Sequence, residues 1–152
     1  METNELMNAF IDVYFKTMKD LNLTLQASMA TYQVSFEQYQ ILRDIATNRV
    51  SNLTDIVRLR GVTKPAIARQ LRTLRNLDYI SQTTAENDRR RHILKLTTVG
   101  ARIEREITAT VSEFFEQFVD AVGADKVETL RQLLATIDAD YLEPAKLNDQ
   151  QK

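Results

Sequence analysis

YISQTTAENDRRRHILKLTTVG, residues 79–100, is the stretch whose reading decides the fold. It reads as a β-hairpin in which Tyr79 to Thr84 rises, Ala85 to Arg89 turns and Arg90 to Thr97 returns. Asn87 and Asp88 supply turn chemistry, because both side chains bond nearby backbone and Asn tolerates positive φ. The returning strand alternates, with His92, Leu94 and Leu96 on one face and Arg91, Ile93 and Lys95 on the other. An isolated hairpin is marginal in water, so this one must lean on helices. Its tip also carries three consecutive arginines, which folding alone does not require.

Everything outward from the hairpin reads helical. Upstream, Ile67, Leu71, Leu74 and Leu77 form a buried stripe on a helix beginning at Thr63 or Lys64, with Pro65 in its first turn. The residue before a proline avoids the α region, which makes Lys64 an alternative cap to Thr63. The opposite surface offers Thr63, Lys64, Ala66, Arg69, Gln70, Arg72 and Thr73. Before it, Asn52 caps a short helix with Leu53, Ile56, Val57 and Leu59 on its apolar side, and Gly61 fits the left-handed position after its end. Ser35 and Gln38 have the form of a capping box for a helix carrying Phe36, Tyr39, Leu42, Ile45 and Ala46. A long helix over residues 3–31 places Leu6, Phe10, Val13, Thr17 and Leu21 on one broad stripe.

Downstream, Thr97 caps a helix from Thr98 to Val122 whose seam is Ile103, Ile107, Val111, Phe114, Phe118 and Val122. Gly123 closes it. Asp125 opens a last helix that ends near Pro144, and the tail beyond should fray.

Composition bounds the function. The chain has 152 residues, 43% hydrophobic and 27% charged, with 3 Gly and 2 Pro, as expected of a mostly helical globular protein. No apolar run approaches the ~18 residues a membrane span needs, and the first residues lack the pattern of a secretory signal. Zero cysteines exclude disulfides, thiolate metal sites and thiol switches, and are compatible with the cytoplasm. One histidine argues against an imidazole zinc site, and no nucleophile triad or phosphate-cradling loop can be assembled. No cofactor, metal or enzyme activity is expected. From Arg43 to Arg105 there are 14 Lys/Arg against 6 Asp/Glu, while the flanks hold 6 against 15. A basic centre in an acidic frame favours a polyanionic partner.

A helix-turn-helix followed by an arginine-tipped hairpin is a winged helix, whose recognition helix enters the major groove while the hairpin reaches the minor groove or backbone. The expected fold class is mainly α (α+β). The segments SFEQYQILRDI (35–45), LTDIVRLRGVTKPAIARQLRTLRNLDYI (53–80) and DRRRHILKLTTVG (88–100) resemble the MarR-type transcriptional regulators. The last is the most specific, with Asp88 and Arg90, then Leu94, Leu96, Thr97 and Gly100, on the family's wing pattern. The resemblance implies a homodimer whose N- and C-terminal helices interleave, binding a pseudo-palindromic operator as a repressor and often relieved by a small effector. The corresponding division is a dimerisation helix over 1–34, a DNA-binding domain over 35–100 and dimerisation helices over 101–152. Two positions depart from the pattern: Asp78 stands where Gly is usual, and Gln82 where Arg is frequent. Asp78 can adopt the left-handed conformation at some cost; Gln82 puts a neutral amide where the family often has a guanidinium.

Within double-stranded DNA as partner, the roles separate by chemistry. Arg90 is the candidate for minor-groove insertion, with Asp88 holding its fork, while Arg89 and Arg91 suit phosphates or solvent. Lys64, Ala66, Arg69 and Gln70 are base-edge candidates, Gln suiting adenine and Arg guanine. Thr63, Arg72 and Thr73 suit phosphates, with Pro65 beside them, and Arg75 reads as an ordinary exposed helix residue. His92 reads as a packed core or pocket histidine. A small aromatic or phenolic effector would sit in a crevice lined by Phe10, Tyr14, Tyr32 or Phe36, aromatics that serve equally well as core. The rival reading is a winged-helix interaction module whose basic face docks an acidic partner.

Overall fold

The structure is a computed structural model that describes residues 2–86, 88–144 and 146; for residues 85 and 88–91 it describes the backbone alone. Its elements in order are α1 (Thr3–Met29), a single 3-10 turn (Ala30–Tyr32), α2 (Phe36–Ala46), α3 (Leu53–Arg60) and α4 (Lys64–Asn76), then β1 (Ile80–Ala85) and β2 (Asp88–Leu96), α5 (Thr98–Val122), α6 (Ala124–Ile137) and a π-helical turn (Asp138–Leu142). The chain forms two compact units, Met1–Val111 and Ser112–Lys152.

In the first unit the local signals act as expected. The Ser35 N–H donates to Gln38 Oε1 at 2.9 Å and the Gln38 N–H to Ser35 Oγ at 3.2 Å, closing the capping box of α2. Asn52 Oδ1 accepts from the Asp55 N–H at 2.9 Å, starting α3. Gly61 ends α3 at φ +61°, and its N–H donates to the Val57 carbonyl. Thr63, not Lys64, is the N-cap of α4; its extended backbone ends the preceding turn, its side chain makes no cap bond, and Lys64 and Pro65 are already helical. The bias of a pre-proline residue away from the α region is outweighed by the geometry of the turn.

The core collects Met29, Tyr39, Ile41, Leu42, Ile45, Ile56, Ile67, Leu71, Leu74, Ile80, Leu94, Ile103 and Ile107 around the α2–α4 bundle and the hairpin. Asp44 sits among them with no exposed surface. Arg49 Nη1 donates to its Oδ1 at 3.1 Å, Arg60 Nε donates to Oδ2 at 2.9 Å, and Arg60 Nη2 also reaches Oδ2. Its main-chain carbonyl accepts from the Arg49 N–H at 2.9 Å, so one residue ties α2, the following loop and α3 together.

The hairpin is an antiparallel pair running from Ile80↔Leu96 to Thr84↔His92, with a register shift before Ala85↔Asp88. Both strands therefore start elsewhere than the sequence suggests: Tyr79 precedes β1, Ala85 lies in it, and Asp88 and Arg89 begin β2 instead of closing the turn. Continued backbone pairing overrides the turn preference of Asp88. Asn87 and the fraying expected of the tail beyond Pro144 lie outside the described residues, Lys146 aside. A further rung joins the hairpin to the bundle, where the Leu94 N–H donates to the Ser51 carbonyl at 2.8 Å.

The junctions at the hairpin's base explain two motif residues. Asp78 adopts φ +59°, the left-handed conformation anticipated for it. The Thr97 hydroxyl donates to the Asp78 carbonyl at 2.6 Å and accepts from the Gly100 N–H at 2.9 Å, capping α5. Gly100 is buried, and a Cβ placed on it would stand 1.8 Å from the Tyr79 carbonyl oxygen. Backbone on both sides leaves no cheap escape, so Gly100→Ala should lose about 3 kcal/mol or more, the upper end of overpacking costs. Urea denaturation would show it as a lowered midpoint.

Along α1, Leu6, Phe10 and Val13 of the stripe are exposed by 57%, 57% and 67%, so its N-terminal half is bare, while Leu21 and Leu25 are half-buried and Met29 at its end is in the core. In the second unit, Gly123 at φ +98° separates the end of α5 from α6. Leu130, Leu133, Leu134, Ile137 and Tyr141 are exposed there as well. The Arg131 guanidinium donates twice to Glu128 and holds its carboxyl down at about 2. Among the described residues no helix is long and apolar enough to cross a membrane, and no cluster of metal-ligating side chains occurs.

Candidate nucleic-acid interface

Helix α4 carries no acidic residue in its first turn, so the positive end of its dipole is left uncompensated by its own side chains. Ile67, Leu71 and Leu74 are buried, which turns the rest of the helix outward. Thr63, Lys64, Pro65, Arg69 and Arg72 are exposed and share that outer surface. Thr73 is half-buried, its hydroxyl donating to the Arg69 carbonyl at 3.4 Å.

Ala66 and Gln70 lie on a different flank. Both are half-buried and border a small cavity of about 140 Å³ with Ile41, Arg60 and Val62. Gln70 Oε1 accepts from Gln38 Nε2 at 2.7 Å. Because Gln38 Oε1 already accepts the Ser35 N–H, the capping box of α2 fixes which way both amides point. That carbonyl lone pair is then committed to α2.

Between α3, α4 and the hairpin lies a cleft of about 560 Å³, lined by Thr54, Arg58, Lys64, Arg75, Gln82 and His92 among others. Arg75 Nη1 donates to Gln82 Oε1 at 2.6 Å, linking the last turn of α4 to β1. The residue in the off-pattern position is thus a brace, and Arg75 is more than an ordinary surface cation. Of the two positions expected for His92, the pocket holds and the core does not: it lies on the cleft with Leu94 but two residues nearer the tip, and is exposed. Asp55 also lines the cleft, but its Oδ2 accepts the Ser51 N–H and hydroxyl and the Asn52 amide at 2.9, 3.0 and 3.0 Å. The Ser51 N–H above all, with its hydroxyl and the Arg58 charge, holds that carboxyl below its usual range.

Arg58, Arg75 and His92 were not among the site candidates read from sequence. Arg75 had a signal: Lys64, Ala68 and Arg75 recur at helical spacing on one side of α4. The backbone of Asp88, Arg89, Arg90 and Arg91 runs in β2 at the register shift, and their side chains lie outside the described residues.

Gln82→Ala would release the hairpin from α4. Stability should fall by less than about 1 kcal/mol, since the pair is exposed. DNA affinity should fall about threefold to tenfold, because ordering the hairpin is then left to the binding step. Fluorescence anisotropy beside a melting curve separates the two effects.

Against known proteins, a family model described as a winged helix DNA-binding domain matches residues 34–100. The matched segment runs from just before α2 into the first turn of α5 and holds both the helix-turn-helix and the hairpin. It is 27% identical over 104 residues to the HTH-type transcriptional regulator FarR of Neisseria gonorrhoeae, covering 68% of this chain and 71% of FarR. The solved structure of the transcriptional repressor CouR bound to a 23-mer DNA duplex superposes with TM-score 0.79 at 23% identity, over 90% of this chain and 97% of CouR. A mutant MarR from E. coli complexed with operator DNA gives TM-score 0.75 at 19% identity, over 90% and 99% of the two chains. These structures share the fold of this chain, a helix-turn-helix with α4 as its second helix followed by the hairpin β1–β2.

Proposed function

We propose that the protein is a DNA-binding transcriptional regulator of the MarR type, acting as a homodimeric repressor that occludes its own promoter region. The observation that carries this reading is the recognition helix: acid-free at its N-terminus, with Lys64, Arg69 and Arg72 exposed, and braced to the wing through Arg75 and Gln82. Lys64 and Arg69 read base edges, Thr63, Arg72 and Thr73 meet phosphates beside Pro65, and Gln70 and Ala66 contribute from the flank. Arg90 enters the minor groove with Asp88 beside it, while Arg89 and Arg91 meet the backbone.

Dimerisation uses residues 1–34 and 101–152. Contiguous exposed apolar faces of this extent are uncommon on a lone soluble chain, and the stripe of α1 and that of α6 each need a cover. A homodimer presents two recognition helices about 34–36 Å apart, one turn of DNA. The protein works in the cytoplasm without catalysing a reaction. A small aromatic or phenolic effector relieves repression, held either by the exposed Phe10 and Tyr14, whose rings stack at 5.6 Å, or by the half-buried Tyr32 and Phe36 at the other end of α1.

The test is a gel shift of the full chain against the DNA upstream of its gene, with sedimentation to give the mass. A retarded band at low salt and a dimer mass are expected. A folded chain that retards no DNA would favour docking to an acidic protein instead.

A further inference from the structure

A second cleft, of about 590 Å³, lies within the first unit between the end of α2, the loop through Asn48, the stem of β2 and the start of α5. Its volume falls inside the ~300–1,000 Å³ typical of small-ligand sites. Ile45, Val50 and Leu96 give it apolar walls, while Glu104, Lys95 and Arg105 bring charge to the same space. Glu104 is the unusual member, because only 8% of it is exposed. Its Oε1 accepts the Thr108 hydroxyl at 2.7 Å, and Thr108 in turn accepts from the Tyr39 hydroxyl at 3.0 Å. Among the described residues Oε2 takes no hydrogen bond, and no ion pair joins Glu104 to Lys95 or Arg105.

Among the described residues no buried side-chain oxygen lacks a partner, so the unbonded Oε2 keeps an opening to solvent. Here one oxygen is met from inside the fold, and the two cations that line the same cleft form no ion pair with it. Opposite charges facing one cavity without pairing are complementary to a molecule that carries both. We propose that this cleft binds a small zwitterion with an apolar body, of the apolar amino-acid class. Its ammonium group meets Glu104 Oε2, its carboxylate lies toward Lys95 and Arg105, and its side chain rests on Ile45, Val50 and Leu96. The site is distinct from the aromatic residues proposed for the effector. It also borders the Leu94–Ser51 rung that anchors the wing, so occupancy stiffens the wing's stem. That last consequence rests on the function proposed above.

Melting curves of the full chain with L-leucine, isoamylamine and isocaproate as probes test the site. The second lacks leucine's carboxylate and the third its ammonium group. Saturating leucine should raise Tm by about 2–5 °C, and the two half-ligands should not. Lys95→Met, at an exposed position, should weaken the leucine response about tenfold while leaving the unliganded Tm unchanged. Glu104→Gln should abolish the response. No shift with leucine at millimolar concentration, equal shifts with all three probes, or an undiminished response in Lys95→Met would each overturn the proposal. None of these measurements uses DNA, so a failure of operator binding would bear on the regulator reading and not on the site.

Discussion

Asp44→Ala should lower stability by about 3–5 kcal/mol, the range for breaking a buried charge pair by removing one partner. The carboxyl has no exposed surface, and it is the acceptor for both Arg49 and Arg60. Removing it leaves the Arg60 side chain, only 23% exposed, with its charge facing a hole in the core. Arg49 is 55% exposed and can turn to water. Arg49→Ala should therefore cost much less than Arg60→Ala. Urea denaturation of the three variants orders them, with Asp44 and Arg60 far from wild type and Arg49 near it. A loss below about 1 kcal/mol for Asp44→Ala would show that the network is merely tolerated. Because Asp44 joins α2 to α3, a stable variant with displaced α3 would also bind DNA poorly, which links this stability effect to function.

Operator affinity should fall about 10³–10⁵-fold between roughly 50 and 200 mM salt, as expected for a dimer that neutralises ~6–10 phosphates. The reasoning rests on where the charge lies. The chain's net charge is −1, yet the segment from Arg43 to Arg105 holds 14 Lys/Arg against 6 Asp/Glu. Arg72→Ala should reduce the slope of log K against log salt by about 0.9 for each phosphate that this side chain neutralises, while sequence preference is kept. Arg90→Ala should weaken operator binding about 10- to 100-fold, with melting temperature and dimer mass unchanged. Anisotropy titrations at several salt concentrations check both. A flat salt response would count against DNA as the partner, and a normal affinity in Arg90→Ala would remove that side chain from the minor groove.

Most of the fold was readable before any coordinates, because its signals are short-range. Ser35 with Gln38, Asn52, Gly61 and Thr97 each satisfy backbone groups within four residues, and the structure places each cap where it was expected. Apolar stripes at helical spacing located the core faces of α4 and of the first half of α5, whereas on α2 the stripe took in the exposed Ala46 and left out the buried Ile41. The hairpin's existence was equally plain, but its ends shifted, since strand pairing competes with turn chemistry and register is settled across the ladder.

The candidate site was legible in kind and less so in detail. Helix spacing identifies which residues of α4 leave the core, but it cannot separate Arg69, which is exposed, from Gln70, which is committed to Gln38. Arg75 and Gln82 looked unrelated until the hairpin folded back to set them 2.6 Å apart.

Patterning and capping are properties of a few neighbouring residues, so helices, wing, basic centre and DNA-binding class all follow from the order of amino acids. The burial of Asp44 and Glu104, the two amide and guanidinium braces, and the clefts between elements belong to tertiary structure. They join groups that helix and strand patterning does not relate, 7 residues from Arg75 to Gln82, 16 from Asp44 to Arg60 and 32 from Gln38 to Gln70. Whether a charged or amide side chain lies in water or in the core depends on the partner that packing brings across from it.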